Sequence, residues 1–125
     1  MKIDVSIGEL VDKASILEIK TEKIRDKDKL NNIRFEYNLL FEALREINLD
    51  GQSPEFLELK KINLRLWKIE DQIRLKELRK EFDEEFIQLA RSVYRENDKR
   101  AETKRAINVK FNSAIIEEKE YQKYL

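Results

Sequence analysis

The sequence predicts an all-α protein, an antiparallel helical bundle of about four helices with two long C-terminal helices and a short docked tail, forming one domain over residues 1–125. Three observations carry this. Two glycines and one proline are too few for the turns of a β-sandwich or barrel. Apolar residues recur at steps of three and four through four successive segments. Only Leu49–Pro54 concentrates turn residues, and dividing the chain there leaves two pieces too small to bury a secure core.

The first helix starts at Ser6-Ile7-Gly8-Glu9, a Ser-x-x-Glu capping box in which the hydroxyl and the carboxylate satisfy reciprocal backbone N–H groups. Ile7, Leu10, Val11, Ala14, Leu17 and Ile24 share one face as far as about Arg25, and Ile16 and Ile19 widen it. This helix is predicted to be central. The charged run Arg25–Lys29 is a short connection with Asp26 or Asp28 as the next N-cap. A second helix then carries Leu30, Ile33, Tyr37, Leu40, Leu44 and Ile47, antiparallel to the first.

Ser53 and Pro54 open the third helix as N-cap and first turn. It runs to about Arg79, roughly 38 Å at 1.5 Å per residue. Phe56, Leu59, Ile62, Leu66, Ile69 and Ile73 form a coiled-coil-like seam. Leu57, Leu64, Trp67, Asp71, Leu75 and Leu78 form a second stripe, giving the helix two faces to bury. Asp83 caps a fourth helix from about Glu84, with Phe82 and Ile87 placed as a hydrophobic staple. The inner stripe of that helix, Phe86, Ala90, Val93, Asn97, Ala101, Lys104 and Ile107, is interrupted by two polar residues. The pair Ile115-Ile116 is expected to dock the tail onto the bundle.

Composition limits the chemistry. There is no histidine and no cysteine, so Ser-His-Asp, Cys-His and zinc-hydrolase schemes are excluded. Oxygen-ligated magnesium or manganese, paired carboxylates, and anion binding by Lys and Arg need nothing that is missing. Charged residues make up 42% of the chain and cancel to a net charge of zero, which argues against a nucleic-acid binder. The longest charge-free stretch, Phe111–Ile116, is far short of a membrane span, and Met1–Leu10 has no signal-peptide core. The expectation is a cytoplasmic protein without membrane insertion.

The informative anomaly is polar residues in inward register: Asp12 with Ile16 and Ile19, Asp71 with Leu64 and Trp67, and Asn97 and Lys104 on the fourth helix. A buried carboxylate needs a partner. In one reading Asp12 and Asp71 pair with Lys13, Lys104 or Arg100 and fix helix register. In the other, Glu9-x-x-Asp12, Glu70-Asp71 and Asp98 converge on a divalent cation while Lys104 or Arg91 meets a phosphate. Glu9 with Lys13, Glu70 with Arg74 and Glu96 with Arg100 have i,i+4 spacing suited to solvated helix support. Trp67 is placed for the core, with base or sugar stacking as its alternative. The basic run Arg91, Arg95, Lys99, Arg100, Lys104 and Arg105 is interleaved with Glu96, Asp98 and Glu102, so a mixed-charge face competes with a phosphate-contacting strip.

The segments Ile7-Gly8-Glu9-Leu10-Val11-Asp12-Lys13, Leu66-Trp67-x-Ile69-Glu70-Asp71, Leu89-Ala90-Arg91-Ser92-Val93-Tyr94-x-x-Asn97-Asp98-x-Arg100-Ala101 and Lys104-Arg105-x-Ile107-Asn108 carry a resemblance over nearly the whole chain. They resemble a small all-helical family of uncharacterised bacterial proteins, a domain of unknown function sometimes encoded beside or fused to enzymes of surface-polysaccharide synthesis. The resemblance implies no activity, and Asn112-Ser113 stands here where the family usually carries a Gly-Ser turn. Its motif positions include Glu9, Asp12, Lys13, Glu18, Trp67, Glu70 and Asp71 on the first and third helices. On the fourth they include Arg91, Tyr94, Asn97, Asp98, Arg100 and Lys104. They point to a shared polar site for a ligand or partner. Two functions follow as expectations: a non-enzymatic accessory module that binds a protein partner or itself, without cofactor, or a magnesium-dependent nucleotide or nucleotide-sugar binding protein or hydrolase.

Overall fold

A computed structural model describes all residues 1–125. It contains four helices and no strand: α1 (Ile7–Lys23), α2 (Lys27–Glu46), α3 (Pro54–Leu78) and α4 (Glu84–Lys110). α1 is the hub, packing against α2, α3 and α4, while α3 and α4 pack on each other. α2 lies along α1 and reaches α3 through side chains, with Phe41 edge-on to Phe56 at 5.4 Å between ring centroids. The chain is therefore two antiparallel hairpins joined through α1.

The helix boundaries follow local chemistry. Ser6, Asp26 and Asp83 cap α1, α2 and α4 by accepting from Glu9, Lys29 and Phe86 N–H groups. The box at Ser6 is only half formed, because the Glu9 carboxylate turns to Lys104 Nζ at 2.5 Å instead of back to the Ser6 amide. Ser53 also departs from expectation: its hydroxyl accepts from Asp50 N–H inside the preceding loop and makes no cap bond to α3. α2, α3 and α4 end with Asn48, Lys80 and Asn112 in left-handed conformation. In each the next residue's N–H reaches back to Leu44, Lys76 or Asn108 O, the pattern that closes the last carbonyls of a helix. Asn112 thus serves as the left-handed turn residue its position suggested.

The glycines do other work. A Cβ on Gly8 would lie 2.5 Å from Lys104 O and 2.9 Å from Asn108 Oδ1, so glycine permits α1 to cross α4 at backbone contact. The first amides of α1 are closed there by residues at and just beyond the C-terminal end of α4. Ile7 N–H donates to Ser113 Oγ at 3.0 Å and Gly8 N–H to Asn108 Oδ1 at 2.6 Å.

Val11, Ala14, Phe41, Leu44, Leu49, Phe56, Leu59 and Ile107 form the main core, where all four helices meet. It lies at one end of the molecule. From Leu64 to Ala106 the one buried residue is Glu96, itself 9% exposed. α3 and α4 span about 37 and 40 Å against about 25 Å for α1, and their far halves run on as a two-helix arm. The second stripe of α3 is consequently left uncovered: Leu57, Leu75 and Leu78 are exposed, and Asp71 is exposed rather than inward. Phe82 and Ile87 are exposed as well, and the Phe82 ring sits edge-on to Phe86. No helix is long and apolar enough to cross a membrane.

Candidate functional site

Asp12 is the centre of the inward polar layer. It stands on the α1 face that meets both α3 and α4, and its carboxylate is 1% exposed. Arg100 grips it with two bonds, Nε to Oδ1 at 2.9 Å and Nη2 to Oδ2 at 2.6 Å. Asn63 Nδ2 donates to Asp12 Oδ1 and to Ser15 Oγ, both at 2.9 Å, and Ser15 donates to Asp12 O. Lys104 Nζ stands 3.8 Å from Oδ2. No buried side-chain polar atom is without a partner. Donating these bonds to Asp12 holds the Arg100 guanidinium above its ordinary pKa, against desolvation by burial. The layer is thus a closed ion pair knotting three helices, and Asp12 has no oxygen to spare for a ligand.

Beside this knot, α1, α3 and α4 leave an open cleft of about 400 Å³. Ile16, Ile19 and Leu66 are its apolar lining, Trp67, Glu70 and Asp71 come from successive turns of α3, and Asn97 and Arg100 from one turn of α4. Trp67 is half-buried at this cleft rather than in the core, because no fourth helix covers that side of α3. Glu70 pairs with Arg74 at 3.3 Å. Asp71, Asn97 and the Trp67 indole make no hydrogen bond within the chain.

The remaining motif residues lie elsewhere. Lys13 is on the outside, facing Glu36 at 3.7 Å, and Glu9 pairs with Lys104 instead of Lys13. Glu18 belongs to a separate group, held by Lys60 at 3.1 Å and by the Tyr37 hydroxyl at 3.4 Å. Burial and the neighbouring Glu18 push the Tyr37 phenol up. Arg91 is exposed and donates only to Gln88, on its own helix. Tyr94 and Asp98 meet the tail: the Tyr124 hydroxyl donates to Asp98 Oδ2 at 2.6 Å, and its ring stands edge-on to Tyr94. The tail is held by this contact and by Arg105 on Glu118, while Ile115 and Ile116 stay exposed.

Sequence reading missed Asn63, Ser15, Glu96 and Asn108, all buried polar residues. Their signal was faint: Asn63 sits next to Ile62 in the apolar seam. Glu96 pairs with Arg65 at 3.0 Å and Lys99 at 3.3 Å, not with Arg100, which is committed to Asp12. Burial pushes its carboxyl up, but bonds from Arg65 and Lys99 outweigh this and hold it below its usual range. The carboxylates expected to converge on a cation are dispersed: Asp12 is on Arg100, Glu9 on Lys104, Glu70 on Arg74 and Asp98 under Tyr124. No three acidic side chains come together at a spacing that would hold a metal ion.

The whole chain, residues 1–125, matches the model of DUF6165, a family of unknown function, and the chain belongs to that family. No curated protein and no solved structure matches it.

Proposed function

We propose that this member of DUF6165 is a non-enzymatic helical accessory module that pairs with a second copy of itself through the α3–α4 arm. One observation carries the reading: Leu75, Leu78, Phe82 and Ile87 stand 49, 78, 58 and 47% exposed on an arm that no third helix covers. The chain exposes 9221 Å², about 2,000 Å² more than a compact monomer of its mass. A standard interface takes about 800 Å² from each partner. The arm is also self-complementary in charge, with Arg74, Arg79 and Lys80 close to Glu77, Glu81 and Glu84, so two arms laid antiparallel bring opposite signs together. A setting in surface-glycan assembly rests on the sequence resemblance alone.

Sedimentation over a range of concentrations tests the pairing. A reversible dimer is expected, and Leu78→Glu with Phe82→Glu returns it to monomer at unchanged helicity. A strict monomer at every concentration sinks the proposal. Affinity capture from native cells tests the setting, which fails if no glycan-assembly enzyme is recovered. Against a magnesium-dependent nucleotide function, the expected result is no thermal shift with magnesium and nucleotide sugars. A shift abolished by Asp71→Asn would restore that reading.

A further inference from the structure

We propose that the cleft between α1, α3 and α4 binds an organic ammonium group on an aliphatic stem, the chemistry shared by a free polyamine and a lysine side chain. The site is complete within one chain and uses none of the side chains that carry the arm pairing.

Most of the charges around the cleft are already paired. The cation lining the cleft, Arg100, has Nε and Nη2 on the buried Asp12. Glu70 is engaged by Arg74. The formal charge left uncommitted is the Asp71 carboxylate, one turn along α3 from Trp67. A carboxylate beside an indole suits an ammonium ion, which gains a charge-assisted hydrogen bond from the first and quadrupole attraction from the second. Asn97, also without a partner in the chain, supplies a carbonyl oxygen for another N–H. Ile16, Ile19 and Leu66 give the cleft an apolar lining on which an alkyl stem is better placed than a hydroxylated one. Anions fare worse, since Arg100 is already neutralised and Asp71 repels them. The volume of about 400 Å³ lies within the usual range for small-molecule sites, about 300–1,000 Å³. The Asp12–Arg100–Asn63 network braces the wall beside it.

The chain has a single tryptophan, so Trp67 emission reports this cleft alone. Titration of the intact protein with spermidine and with Nα-acetyl-lysine methylamide is expected to give a saturable change. Tighter binding of spermidine assigns the free amine, and equal or tighter binding of the lysine mimic assigns a partner's side chain. Asp71→Asn, at an exposed and unpaired position, is expected to keep the fold and weaken binding about tenfold, as loss of a charge-assisted bond does. Glu42→Gln, at an exposed position on α2 away from both the cleft and the arm, is expected to leave it unchanged. No response to either amine overturns the proposal, as does an equal response to a diol of the same length, a sugar or inorganic phosphate. So does full binding by Asp71→Asn, or the same loss in Glu42→Gln.

Discussion

The two ends of the molecule use the same amino acids in opposite ways. At the packed end, Phe56, Leu59, Leu44 and Val11 are sealed and the charge among them, Asp12, is fully bonded. In the arm, apolar side chains of similar size, Leu75, Leu78, Phe82 and Ile87, stay wet, and charges such as Lys76 gather Glu81, Asp83 and Glu85 at the surface. The difference is a third helix. With α1 present, stripes on α3 and α4 become core; beyond it, the same periodicity yields only a two-helix ribbon.

Substitutions sharpen this contrast, and the largest effects are expected at the knot and core. Arg100→Ala leaves Asp12 buried without its partner and should cost about 3–5 kcal/mol, measured by denaturant unfolding. Arg74→Ala, which breaks only a surface pair with Glu70, should stay within about 0.5 kcal/mol. Phe56→Ala should cost about 3–5 kcal/mol, whereas Leu78→Ala in the arm should cost little in the monomer. Comparable losses at both ends would mean that the arm is covered. Gly8→Ala drives a methyl into Lys104 O and should cost about 1–3 kcal/mol, with weakened amide-exchange protection at Ile7 and Gly8.

The smallest contrast is in pH. Glu96 has its folded pKa lowered from the ordinary 4.5, so its contribution is present above that value and lost as pH falls through the lowered folded value. Glu96→Gln should flatten this acid limb of the stability profile. Tyr124 is the opposite case. Its hydrogen bond to Asp98, with desolvation, raises its phenol above 10.0, so the tail contact is present below that pH and lost as pH rises through the folded value. Tail resonances should shift in alkali while core resonances stay, and Tyr124→Phe should abolish that shift.

The candidate site was only partly legible. Asp12 and Lys104 were marked by phase and Arg100 as one of three possible partners, and the structure brings them together because α1 and α4 run antiparallel across Gly8. Asp71 carried the same inward signal and ended exposed, since phase names a face of the helix without saying what covers it. Asn63 was missed because an isolated asparagine beside an apolar seam is indistinguishable from a surface residue until its neighbour is a buried carboxylate.

By itself the sequence determined the four helices, the capping side chains of Ser6 and Asp83, and the chemistry ruled out by the lack of histidine and cysteine, because these depend on composition and on residues a few positions apart. Only the tertiary structure decided which inward charges are sealed and which line an open cleft. That outcome depends on α1 being shorter than α3 and α4 and on where it crosses them. Helix crossing is a property of distant segments, settled here by a glycine against a carbonyl and an arginine gripping an aspartate.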